Sequence, residues 1–106
     1  AELQNKAGQY VVPNAESGAA ALAAVKFPEN LVAWLPDPDG AQSYPITSYT
    51  WMIFRKHNES PAKAKAMREM VEYGLTEGQK IADSMGYIPL PQAVVDQVRK
   101  ASANIQ

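Results

Sequence analysis

Apolar residues alternate through the middle of this chain with the two-residue period of a strand, and recur through its last third with helical spacing. From Ile46 to Phe54 one alternating set is Ile46, Ser48, Thr50, Met52 and Phe54; the other is Thr47, Tyr49, Trp51 and Ile53. Both sets become apolar toward the C-terminal end. That pattern predicts a strand buried on both faces, as in a sheet covered by helices. Arg55 to Glu59 is a charged turn. Ser60-Pro61 supplies an N-cap followed by proline at the first helical position. Ala62 to Leu75 then carries Ala66, Met67, Met70, Val71 and Tyr73 at helical spacing. Thr76-Glu77 is placed to cap a second segment, Gly78 to Met85, with Gly86 as its stop. Ile88-Pro89-Leu90-Pro91 is an extended corner. Gln92 to Ile105 predicts a last helix, striped by Val94, Val98, Ala101 and Ile105.

The first half is less regular. Ala1 to Ala7 is polar and reads as a loop or a frayed helix end. Gln9-Tyr10-Val11-Val12 is a short strand candidate ended by Pro13. Asn14 is a good N-cap, Glu16 suits a helix's first turn, and the alanine-rich run Ala19 to Val25 favours a helix. Phe27 to Tyr44 is rich in proline, aspartate and glycine, which is turn chemistry. Its Leu31, Val32, Trp34 and Leu35 argue for an ordered loop or short helix pinned by Trp34, because a flexible linker would not carry an indole and three aliphatics.

This inventory holds four helical segments but one robust strand and one short one. A strand covered on both faces needs neighbours on its edges to pair its backbone N–H and C=O groups, and independent sheets generally need about three strands. The expectation is a fragment of a larger α/β protein whose remaining strands lie elsewhere. The structural alternative is a self-contained helical domain in which Ile46 to Phe54 pairs in a hairpin with residues 9–12, and the functional alternative is a self-contained small α/β interaction module with no small-molecule ligand.

Composition narrows the partners. The 106 residues suffice for one small domain, with a net charge of -1. Such a balance offers no basic face for nucleic acid and no polybasic cluster for an anionic membrane. Cysteine is absent, which removes disulfides and thiolate metal sites. No apolar run has the length of a membrane span and no signal peptide is visible. The opening Ala1-Glu2-Leu3-Gln4 reads as the middle of a longer chain, and a secreted protein loses its leader.

Each candidate site has a plainer reading. His57, the lone histidine, has no clustered ligand or nucleophile around it and reads as a solvated turn residue. Asp37 and Asp39, near Glu29, lack the spacing of a calcium loop, and Pro36 and Pro38 explain them as turn residues. Ser17-Gly18 at a helix start is the most tempting anion site. Glu16 beside it would repel phosphate, and no Arg or Lys is close in sequence, so it reads as a helix start. The Gly74 and Gly78 spacing of a membrane dimer motif falls among Glu72, Thr76, Glu77 and Lys80 and fails as one. Asn58-Glu59-Ser60 matches a glycosylation triplet only weakly, with Pro61 following. No catalytic set is visible, and no catalytic, cofactor, metal or phosphate-binding residue is assigned.

Three stretches carry a resemblance to a known family. They are Tyr44-Pro45-Ile46-Thr47-Ser48-Tyr49-Thr50-Trp51, then Glu72-Tyr73-Gly74-Leu75-Thr76-Glu77-Gly78-Gln79, and Gly86-Tyr87-Ile88-Pro89-Leu90-Pro91 with Val94-Val95 and Val98-Arg99. They resemble the C-terminal part of the substrate-binding proteins of phosphate ABC transporters, the PstS family; Gly8 to Val25 is similar more loosely. The resemblance implies the C-terminal fragment of a two-lobed, type II periplasmic-binding-protein fold, with helices packed on an incomplete mixed sheet. Residues 1–43 would be the tail of the second lobe. Residues 44–106 would supply a crossing strand and the C-terminal helices completing the first, with Thr47 and Ser48 as hinge candidates. It further implies a non-catalytic, periplasmic protein that binds phosphate and serves an ABC permease in the inner membrane. The family holds phosphate by backbone N–H groups, hydroxyls, an arginine and an aspartate, all placed before Ala1 here. Its arginine-to-Ser-Gly-Thr loop has no counterpart, since Ser17-Gly18-Ala19 lacks both the threonine and the arginine. The expected partners are thus phosphate, through residues outside this chain, and the remainder of the same protein or another copy by strand pairing.

Overall fold

Local signals decide where the helices lie. A computed structural model describes all 106 residues. Helix α1 (Ala15–Ala23) starts at Asn14, whose side chain accepts from the Ser17 N–H at 2.8 Å while Ser17 Oγ accepts from the Asn14 N–H at 3.1 Å. This reciprocal capping box satisfies donors that a helix start leaves free. Helix α2 (Pro61–Leu75) opens on its proline, although Ser60 makes no side-chain cap bond. Helix α3 (Glu77–Ala82) runs into one turn of 3-10 helix, Asp83–Met85, and stops at Gly86 in the left-handed region (φ 80). Helix α4 (Gln92–Ser102) follows the Pro-Leu-Pro corner and ends three residues before Ile105. Ile105 is nevertheless buried, and its carbonyl accepts from Arg68 of α2.

The strands depart from expectation. Ala1 to Ala7 is not simply loop: Leu3–Gln4 (β1) pairs antiparallel with Tyr10–Val11 (β2), Leu3 opposite Val11 and Gln4 opposite Tyr10. This two-stranded ribbon is the whole sheet, so it is antiparallel and not mixed. Ile46 to Phe54 is not a strand. It forms one isolated bridge, Pro36 with Ile46, and no backbone N–H from Thr47 to Phe54 donates to another backbone group. Nor does it pair with residues 9–12, as the self-contained alternative required. A strand is a relation between two chains of backbone, and here the second is missing.

The loop from Phe27 to Tyr44 contains no helix. Trp34 does not pin it, being 82% exposed and tilted against Trp51 at 6.2 Å. Asn5 pins it instead. Its buried amide donates to the carbonyls of Gly40, Ala41 and Ser43 at 3.0–3.2 Å and its Oδ1 accepts from the Gln9 N–H at 3.0 Å. The tight turn at Gly40 (φ 126) leaves no room for a Cβ, which would lie 2.6 Å from Ser43 Oγ.

The C-terminal run is stitched by side chains. Gln79 donates to the Gly74 carbonyl at 2.8 Å and accepts from the Leu90 N–H at 2.7 Å, tying the Pro-Leu-Pro corner to the α2–α3 junction. Arg99 of α4 grips Glu72 of α2 through Nε and Nη2 at 2.9 and 3.0 Å. Thr76 closes α2 and does not cap α3: its hydroxyl donates back to the Glu72 carbonyl at 2.8 Å.

Candidate functional site

Two concavities flank the Ile46–Phe54 segment. The first is a cleft of about 460 Å³ at the start of α1, with walls that include Asn14, Gly18, Tyr44, Thr47, Ser48 and Asp83. Its chemistry argues against an anion. The amides of Ser17 and Gly18 are already bonded to Asn14, and Ser17 Oγ also donates to the Val12 carbonyl at 2.7 Å. No lysine, arginine or histidine lines the cleft, and Asp83 adds negative charge. Ser17-Gly18 is therefore a helix start, as its sequence setting suggests. Gly18 has a packing role: a Cβ there would sit 2.1 Å from Ile88 Cδ1, so the missing side chain lets α1 approach the Pro-Leu-Pro corner.

Thr47 and Ser48 both line this cleft. Their hydroxyls make only local bonds, Thr47 to the Tyr44 carbonyl at 3.1 Å and Ser48 to that of Tyr49 at 3.2 Å. Tyr49 reaches further, donating to the Leu22 carbonyl at 3.0 Å and standing edge-on to Phe27. Its partial burial raises the phenol above its ordinary range.

The second concavity is an apolar groove of about 840 Å³. Tyr49, Trp51, Met52 and Phe54 form part of one wall, and apolar residues of α2 and α4, such as Val71 and Val98, form another. Its charged lining residues are Glu29 and Lys56.

The remaining candidates scatter. His57 is exposed in the turn before α2. Asp37 and Asp39 converge on one residue, Lys6: Asp37 accepts its backbone N–H at 3.0 Å, and Asp39 pairs with its ammonium at 2.9 Å. The bond from Asp39 and its charge hold the Lys6 ammonium's pKa above the usual range. Asn58 bonds the C-terminal Gln106 through backbone and side chain. The residue that sequence reasoning missed is Asn5. Its partners lie 35–38 residues away, so no local signal announced it.

What these features describe is a small α/β unit of four helices and a two-stranded ribbon, with an extended apolar segment beside an open groove. No protein-family model matches the chain. Among curated proteins it is 35% identical over 102 residues to the phosphate-binding protein PstS of Pasteurella multocida, covering 93% of this chain and 29% of that protein. It is 36% identical over 100 residues to PstS of Xylella fastidiosa, covering 91% and 27%. PstS of Methanocaldococcus jannaschii is 36% identical over 108 residues, covering 89% and 28%. By sequence the chain belongs to the PstS family, and it spans less than a third of the length of the relatives it matches.

Proposed function

We propose that this chain is the C-terminal part of a two-lobed, type II periplasmic binding protein. The intact protein captures inorganic phosphate and delivers it to an ABC permease in the inner membrane, without catalysing a reaction. The observation that carries this reading is a match along about nine-tenths of the chain to proteins named for phosphate binding. In it, residues 1–43 close the second lobe and residues 44–106 complete the first. Thr47 and Ser48 lie on the crossing between them and absorb the backbone change as the lobes move. Their position on the cleft lined by the start of α1 and by Asp83, Gly86, Tyr87 and Ile88 supports that role.

The same reading gives this chain a scaffold's part in binding. A dry phosphate site needs donors aimed inward and a cation. The α1 start has its amides occupied and an acidic neighbour, so phosphate is held by residues outside these 106. Calorimetric titration with phosphate tests this. The whole protein should bind tightly and the 106-residue chain negligibly, with sulfate as the competing oxyanion. Tight phosphate binding by the 106-residue chain would overturn the assignment, and no binding by the whole protein would overturn the function.

A further inference from the structure

The bond between Asp39 and Gly40 joins an exposed carboxyl to an unhindered nitrogen. The Asp39 side chain is 84% exposed, and the Gly40 N–H donates to no other backbone group. Gly40 carries no Cβ to shield that nitrogen, and its φ of 126 belongs to a turn that a side chain would obstruct. Ser43 Oγ donates to the Asp39 carbonyl at 3.0 Å and leaves the carboxyl alone. The carboxyl's own partner is the Lys6 ammonium at 2.9 Å. The other aspartates lack this combination. Asp37 precedes Pro38, which has no N–H. Asp83 and Asp96 lie in helical turns, whose geometry directs the next N–H along the helix.

We propose that Asp39-Gly40 is a site of spontaneous isoaspartate formation and that Lys6 is its brake. The Gly40 nitrogen attacks Asp39 Cγ. A C–N bond forms, the Cγ–OH bond breaks, and the hydroxyl leaves as water with the N–H proton, closing a succinimide. Water then adds to the ring. Opening on the Cγ side restores aspartate, whereas opening at the backbone carbonyl leaves the chain running through Cγ, as isoaspartate. Water is the sole co-reactant, and adjacent residues hold the nucleophile beside the electrophile. The carboxyl must leave Lys6 and take up a proton before its oxygen can depart, so the ion pair opposes the first step. The product carries an extra backbone methylene at the turn whose Gly40, Ala41 and Ser43 carbonyls accept from Asn5. Conversion therefore releases the anchor of this loop.

The test ages the whole protein, folded, in warm neutral buffer made with heavy-oxygen water, and reads the peptides by mass spectrometry. Asp39 should gain the heavy oxygen and lose cleavage by a protease that cuts before aspartate but not before isoaspartate, while Asp83 and Asp96 stay unlabelled. Lys6→Gln should convert about two- to fivefold faster, the effect of losing an exposed ion pair. Asp39→Glu keeps the charge but would have to close a larger ring, and should stay unlabelled at that position. In the converted fraction the Gln9 and Ser43 amides should exchange faster, since both bond within the anchored turn. No conversion at Asp39, over a time in which the urea-unfolded protein converts, would overturn the site, because the fold would then withhold it. An unchanged rate in Lys6→Gln would overturn the brake.

Discussion

Asn5 closes a polar circuit by itself, accepting from Gln9 and donating to the carbonyls of Gly40, Ala41 and Ser43. Removing a buried amide of this kind leaves several partners unsatisfied, at about 1–3 kcal/mol. Asn5→Ala should therefore lower denaturant stability by that amount and loosen the loop up to Ser43, and Asn5→Asp should be no substitute, since a carboxylate cannot donate to those carbonyls. Electrostatics makes a second prediction. The Arg99 guanidinium, by hydrogen bond and by charge, holds the Glu72 carboxyl below its ordinary range. A carboxylate depressed on folding adds stability above its unfolded value, near 4.5, and loses it as pH falls through the lowered folded value. Glu72→Gln should thus flatten the acid side of the stability profile, read as denaturation midpoints between about pH 6 and pH 3. At this scale the legible residues were those with near neighbours in sequence. Asn14, Ser17 and Gly86 announce their roles within four positions, whereas Asn5 and Arg99 act across 38 and 27.

Helices α1, α2 and α4 could be read from the chain because caps, proline at the first turn and a repeating apolar stripe act within one element. The Ile46–Phe54 pattern was read correctly as alternating, yet the strand it predicts needs an edge to pair with. Trp34 misled for a related reason, since an indole implies burial only where there is something to bury it against. The approach of α1 to the Pro-Leu-Pro corner gives an element-scale test. Gly18→Val would force Ile88 aside and should destabilise by about 1–3 kcal/mol, with Ile88→Ala restoring part of the loss. A full loss in Gly18→Val that Ile88→Ala does not relieve would mean that the glycine serves some other contact.

As a whole the chain is spare in core. Its radius of gyration is 15.7 Å over extents of 51 × 28 × 19 Å, against about 13 Å for a compact domain of this length. Thirteen of 106 residues are buried, and Trp34, Met52, Ile53 and Tyr87 are all largely exposed. The deficit is spread over the surface: Met52 lines the apolar groove, Tyr87 lines the cleft beside α1, and Trp34 and Ile53 line neither. The 106-residue chain on its own should accordingly bind a dye that reports exposed apolar surface, and the whole protein should not. An equal signal from both would show that the exposed surface is native. The candidate site was legible only in outline: the family could be recognised from its closing run, while the groove could not, because its lining residues come from stretches as far apart as Phe27 and Ile105 and no local pattern marks which of them will meet.

The hydrogen bonds have one further consequence. Those of the first 45 residues close among themselves or onto Thr47, Tyr49 and Trp51, as Asn5 does with Ser43 and Tyr44 with Ala1. Those from Arg55 onward close among themselves, through Asn58 with Gln106 and Arg68 with Ile105. None crosses between the two sets. Opening one set therefore breaks no hydrogen bond of the other, and the two are coupled by packing, as where Gly18 meets Ile88. Exchange rates should sort the amides into two classes divided near Tyr49, and a destabilising change such as Asn5→Ala should speed exchange in the first class and leave α2 and α4 at their original rates.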